Sequence, residues 1–424
     1  MINVGSMIGS GIFIVPATIA LYLHDTTSTI LVWTIGGLVS MFGALAVAEL
    51  GAMMPRAGGQ FVFLTEIYGP LWGFLYGWAA FTVIISASIS AIAVGFATYI
   101  AYFFPMDALG IKIVAIVSIA FLTAANCLEV RLGAWLQNGF TLAKIAALGL
   151  LALIPFFLWS GVNENFRPAL PPSIDGSYFP LFMLAMVSVL WAYDGWIEIT
   201  FVAGEVKKPE RTIHRSLIVA TLLVVALYVV VNLAFIFLLS LSSMAQSSLV
   251  ASDAAQKMLG AAGASFIALA VVVSTFGANN GFVFTGARIY YAMAKEGLFF
   301  HSFATIHPKF KTPVNSLLGQ GMWSCFLVLT GSYDQLITYV VFVSWLFYAM
   351  SAAGVIVLRR REPGRERPYR AWGYPWTPIV FILFAVYLVV SSVVANPRDS
   401  IFGMLLAGSG IPLYFWWKKK KPAE

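Results

Sequence analysis

Gly5-Ser6-Met7-Ile8-Gly9-Ser10-Gly11 and Trp191-Ala192-Tyr193-Asp194-Gly195-Trp196 each interrupt an apolar stretch with glycine and polar residues. The first lies in the opening apolar stretch and the second in the stretch after the central loop. They thus hold corresponding places in the two halves of the chain. A membrane helix unwinds only where protein or a water-filled cavity takes up the freed backbone groups. Broken helices at matching positions of an internal repeat are the best sequence pointer to a transporter's substrate site.

The rest of the sequence supports a membrane setting. Charged residues make up 10% of the chain and apolar residues 60%, against about 25% charged in soluble proteins. Long continuous apolar runs imply an all-α polytopic membrane protein and exclude a barrel, which needs short alternating strands. Twelve spans are predicted, at about 2–23, 28–54, 71–103, 111–127, 133–159, 179–204, 213–240, 258–293, 313–331, 334–358, 375–395 and 401–417. No cleavable signal peptide is expected. Because only about four residues precede the first break, a segment before Met1 is expected. The two cysteines do not make a disulfide framework, and no metal or cofactor is expected.

Basic residues set the orientation. With the N-terminus inside, the inner loops and C-terminus hold nineteen of the 25 Lys and Arg, and the outer loops hold Lys112, Arg167, Lys257 and Arg398. Both termini are therefore expected in the cytoplasm, in the plasma or inner membrane. The net charge of +7 reflects this bias and needs no nucleic-acid partner; the Lys418–Lys421 run is read as a tail facing lipid headgroups. The breaks fall in spans one and six, an odd offset of five, so the halves are expected to be inverted. The predicted organisation is a first repeat at 1–160, a second at 178–358, two further helices within 370–418, and a cytoplasmic tail at 419–424.

At the first break, three glycines open backbone conformations closed to other residues. Exposed N–H groups and the positive end of the following half-helix suit a carboxylate; the alternative is close helix packing through small residues. At the second, freed carbonyls suit an ammonium group. Asp194 is an intramembrane acid and a functional candidate by default, or else a cap on the broken backbone. Trp191 and Trp196 are either rings that cover a substrate or ordinary packing. A carboxylate end and an ammonium end an amino acid apart describe an α-amino acid site.

Lys144 lies about twelve residues into span five, too deep for easy snorkelling. Glu49, Glu198 and Glu205 are candidates for an inner gate, although Glu205 with Lys207 and Lys208 is most simply an interfacial ion pair. Asn279 and Asn280 either bond across helices or line the pocket.

GSMIGSGIF (5–13), AELGAMMPRAGGQ (48–60), WAYDGW (191–196), GEVKKP (204–209) and RIYYAMAKEG (288–297) together resemble the amino acid–polyamine–organocation superfamily. Within it, the chain is most similar to the L-type amino acid transporter branch and its bacterial exchanger relatives. The resemblance implies a LeuT-type fold with an inverted 5+5 repeat, and alternating access. It implies that the backbone of Met7 to Gly11, with Ser6 beside it, binds the substrate carboxylate. Ile8 and the carbonyls of Trp191, Ala192, Tyr193 and Asp194 would receive the ammonium, with Gly195 and Trp196 completing the break and Trp191 as gate. It implies that Lys144 replaces a coupling sodium ion, facing Ser274 and Thr275 on span eight. A permanently charged lysine removes any need for sodium; a titrating one would carry a proton.

Eukaryotic members of this branch are tied to a glycoprotein through a Cys between spans three and four. That loop, about 104–110, has no Cys here, so no disulfide-linked heavy subunit is expected. The reading is a sodium-independent exchanger or facilitator, not an enzyme, for small neutral L-amino acids. Asp194 strengthens the case for cationic ones, and a proton-coupled symporter is the alternative.

Overall fold

The computed structural model describes residues 1–128, 130–158, 163–395 and 397–420. Lys421 and the rest of the expected tail lie outside the described residues, as does the Arg131 side chain. Helices in chain order are α1 (Ile2–Met7), α2 (Gly11–Tyr22), α3 (Thr26–Met53), α4 (Gln60–Tyr68), α5 (Pro70–Ala79), α6 (Ile85–Ile100), α7 (Ala108–Leu128), α8 (Val130–Leu158) and α9 (Tyr178–Tyr193). They continue with α10 (Pro209–Leu238), α11 (Leu241–Gln246), α12 (Val250–Lys295), α13 (Val314–Thr330), α14 (Tyr333–Arg361), α15 (Trp376–Ala395), α16 (Pro397–Gly408) and α17 (Gly410–Lys420). No strand occurs among the described residues. Nine of their helices are long and apolar enough to cross a bilayer, with α2 and α9 as shorter apolar helices beside the two breaks. The protein is therefore an all-helical, multi-pass membrane protein.

Local chemistry sets the helix ends. The Asp25 carboxylate accepts the Ser28 amide at 2.8 Å and caps α3, and Ser332 with Gln335 forms a capping box at α14. Between α5 and α6 the chain takes a π-helical turn at Ala80–Ile84. Two side chains reach carbonyls in that turn: the Tyr290 hydroxyl donates to Ala80 at 3.2 Å and the Trp323 indole N–H to Thr82 at 2.9 Å. Thus α5, the turn and α6 form one long span packed against α12 and α13.

Three boundaries differ from the sequence reading. The eighth span begins at Val250, because α12 includes a preceding segment that bends at Gly260, whose φ of 67° only glycine adopts easily. The twelfth is divided into α16 and α17 around Ser409. After Asp194 the sixth does not resume as an α-helix but proceeds through short 3₁₀ turns at Glu198–Thr200 and Ala203–Glu205. Apolar content does not encode where the hydrogen-bond ladder starts and stops.

Candidate functional site

Both expected breaks are present. At the first, α1 ends at Met7, Ile8 leaves helical geometry (φ −78°, ψ 78°), and α2 starts at Gly11. At the second, α9 ends at Tyr193, Asp194 is extended (φ −63°, ψ 156°), and Gly195 turns at φ 101°. The breaks lie directly against one another. A Cβ on Gly195 would fall 2.9–3.0 Å from Ser6 and the Met7 amide nitrogen, and one on Gly11 2.6 Å from the Ala192 Cα. These two glycines are required by the backbone contact between the breaks. Gly9 faces Ala278 with a milder 3.3 Å.

Ser6, Met7, Gly9, Ser10, Gly11, Trp191, Ala192 and Asp194 line one small cleft, joined by Ile92 and Phe282. Its free volume is about 10 Å³, room for no more than a water. In this arrangement the two breaks are packed together and leave no room between them for a larger molecule. The buried Ser6 hydroxyl has no hydrogen-bond partner among the described residues. Ser10 Oγ shares a hydrogen bond with the Tyr333 hydroxyl at 3.1 Å, and the Tyr348 hydroxyl donates to Asp194 Oδ1 at 2.7 Å. Ile92, Phe282, Tyr333 and Tyr348 had no motif around them in the sequence; only folding brings them to the breaks.

Four predicted members lie outside the cleft. Tyr193 turns into the bundle, where its hydroxyl donates to the Trp33 carbonyl at 3.1 Å and its ring packs against Trp33 and Tyr228. Trp196 is buried against Tyr348, ring centroids 5.0 Å apart. Gly195 serves the backbone contact. The Ile8 carbonyl already accepts two bonds, from Lys144 Nζ at 2.8 Å and from the Ser274 hydroxyl at 3.2 Å. With both lone pairs used it offers an ammonium little.

Lys144 is buried, and its Nζ also donates to the Gly5 carbonyl at 2.7 Å. The Tyr228 hydroxyl takes the Met7 carbonyl at 2.7 Å. Three carbonyls at the end of α1 are thus held by side chains from α8, α10 and α12. Thr275 does not take part: its hydroxyl bonds back to Val271 and Val272 within α12, the usual habit of a mid-helix threonine.

Below the cleft, α12 ties down the segment after the second break. The Thr285 hydroxyl donates to Glu198. Arg288 pairs with Glu205 at 2.9 Å, which corrects the expected pairing of Glu205 with Lys207 and Lys208. Asn3 accepts the Ile199 amide at 2.9 Å. Glu49 binds Arg359 through both oxygens at 2.9 and 2.6 Å and accepts the Ala371 amide, joining α3 to the end of α14. Asn280 accepts from Asn126 on α7 at 2.8 Å, and neither it nor Asn279 lines the cleft.

Fold and site together define a polytopic helical membrane protein whose candidate site is built where two broken helices meet. The chain belongs to the amino acid permease family, whose model matches residues 1–411. It is similar to the serine/threonine exchanger SteT of Bacillus subtilis, with 31% identity over 99% of this chain and 95% of the relative. It is also similar to the b(0,+)-type amino acid transporter 1 of Mus musculus, 31% identical over 98% of this chain and 85% of the relative. The large neutral amino acids transporter small subunit 2 of Oryctolagus cuniculus is 32% identical over 99% and 79%.

Proposed function

We propose that this protein exchanges small neutral L-amino acids across the membrane by alternating access, without sodium. The substrate carboxylate is held by the amides around Gly9 to Gly11 and the free Ser6 hydroxyl, and its ammonium by the second break beside Asp194. Trp191 covers it. The observation that carries this reading is the seat of Lys144. Its Nζ donates to the Gly5 and Ile8 carbonyls that the break in α1 exposes, the place a coupling cation would otherwise take. The exchanger and transporter names of the similar proteins favour the same reading.

In this reading the chain has twelve spans in a LeuT-type inverted 5+5 repeat, 1–160 and 178–358, with both termini cytoplasmic. The Lys and Arg distribution supports that orientation. The absence of cysteine in 104–110 supports a chain that works without a disulfide-linked heavy subunit. The test is uptake of labelled serine into proteoliposomes with and without internal serine. Uptake should require internal amino acid and ignore sodium. Accumulation driven by a proton gradient alone would replace exchange with symport; no uptake of any amino acid would overturn the reading.

A further inference from the structure

Ser10 belongs to two structures at once. It lines the cleft between Gly9 and Gly11, and its hydroxyl meets the phenol of Tyr333, 323 residues away, at 3.1 Å. Among the described residues Tyr333 is the one partner of this hydroxyl. A serine at the N-cap ordinarily turns its oxygen onto an amide of the first helical turn. Ser10 is the N-cap of α2 and makes no such bond; its hydroxyl goes to Tyr333 instead. Both partners are held in place. Ser10 is 1% exposed, and a Cβ on Gly95 of α6 would fall 2.7 Å from its own Cβ. Tyr333 is the first residue of α14, fixed by the capping box of Ser332 and Gln335.

A serine hydroxyl has one hydrogen and two acceptor sites, and a phenol is the stronger donor of the two groups. With Tyr333 donating, the Ser10 hydrogen is left for a third group. At the start of α2 the helix presents its positive end, so the acceptor that suits the place is an anion. Ser10 then accepts from Tyr333 and donates to a carboxylate, and each bond in such a chain polarises the next.

We propose that Tyr333 is a positioning residue for the substrate carboxylate, acting through Ser10 as the far member of the chain Tyr333–Ser10–carboxylate. This rests on the exchange reading given above, which puts the carboxylate at the first break. The same helix serves the other end of the site. The Tyr348 hydroxyl of α14 holds Asp194 at the second break, about 22 Å further along the helix axis. One rod thus reaches the carboxylate side through Tyr333 and the ammonium side through Tyr348. An amino acid that engages both sides favours the placement of α14 that serves both breaks.

A double-mutant cycle on serine affinity tests this, read from thermal stabilisation of the full chain in detergent over a series of serine concentrations. Tyr333→Phe should weaken serine roughly fivefold, the worth of one neutral hydrogen bond. Ser10→Ala keeps the Cβ beside Gly95 and should weaken it at least about tenfold, because a bond to a charged group is lost. The double variant should bind no more weakly than Ser10→Ala, since Tyr333 has no route to the substrate without Ser10. A tyrosine that only supports the fold would cost its factor again in the Ser10→Ala background, and that result would overturn the proposal, as would an unchanged Tyr333→Phe. A second measurement stands apart from the cycle. With Tyr333 replaced by 3-fluorotyrosine, the fluorine NMR signal should move when serine is added, and a stationary signal would overturn the chain. Equal serine binding by wild type and Tyr333→Phe leaves the exchange reading standing. If wild type binds no small neutral amino acid, that reading falls and this one with it.

Discussion

The two breaks solve the same problem by different means. Where α1 ends, the Gly5, Met7 and Ile8 carbonyls are taken by side chains from three other helices, one of them the buried Lys144. Where α9 ends, the satisfaction is mostly local: the Asp194 amide returns to the Trp191 carbonyl at 3.0 Å, and the Asp194 carboxylate takes the Tyr348 hydroxyl. The first break is thus secured by side chains from outside its own segment, one of them a lysine, the second by its own turn and one hydroxyl donor. A carbonyl cluster in a medium without water attracts a cation strongly; in the function proposed above, the first break therefore takes the substitute for a coupling ion and the second leaves its acid to the substrate.

The sharpest way to break that comparison is Lys144→Ala. It leaves the Gly5 carbonyl without this partner and the Ile8 carbonyl with Ser274 alone, at a cost of about 1–3 kcal/mol for each buried group left unpaired. Uptake per inserted molecule should fall by at least about tenfold, while Tyr228→Phe, which removes one neutral bond of about 1 kcal/mol, should fall only a few-fold. Strict sodium dependence in wild type, or equal effects of the two variants, would remove the distinction between a cationic and a neutral tie.

Gly11→Val tests the contact between the breaks. Its Cβ meets the Ala192 backbone, which is not the movable end of a side chain, so overpacking of about 1–3 kcal/mol should separate the segments. Substrate-induced thermal stabilisation should vanish. Gly9→Ala, against the Ala278 methyl, should keep most of it. The opposite order would mean that Gly9, and not the contact of Gly11 with Ala192, lies closer to the substrate.

Asp194→Asn keeps an acceptor for Tyr348 and removes the charge. Serine uptake should fall by less than roughly fivefold, within the worth of one hydrogen bond, and lysine or arginine uptake, where present, by considerably more. Matching losses would make Asp194 a structural cap. The smallest effect is expected at Trp196→Phe, whose ring lies outside the cleft: uptake should stay within roughly twofold, whereas Trp191→Phe should impair it more. Equal behaviour of the two would return Trp191 to packing.

The sequence by itself determined the membrane class, the long apolar helices and the places where two apolar stretches break. Those are properties of local composition: lipid demands long apolar helices, and only glycine with small polar residues interrupts them without penalty. It also singled out Lys144 and Asp194, because a charge at that depth is costly wherever the chain goes. The tertiary structure alone decided which groups meet. It sent Tyr193 and Trp196 into packing, turned Thr275 back on its own helix, paired Glu205 with Arg288, and brought Tyr228, Ile92, Phe282 and Tyr348 to the breaks. The physical reason is directional. Hydropathy says that a residue is buried, but a hydrogen bond needs a donor aimed at one particular carbonyl, and that aim is set by the rotation and register of helices far apart in the chain.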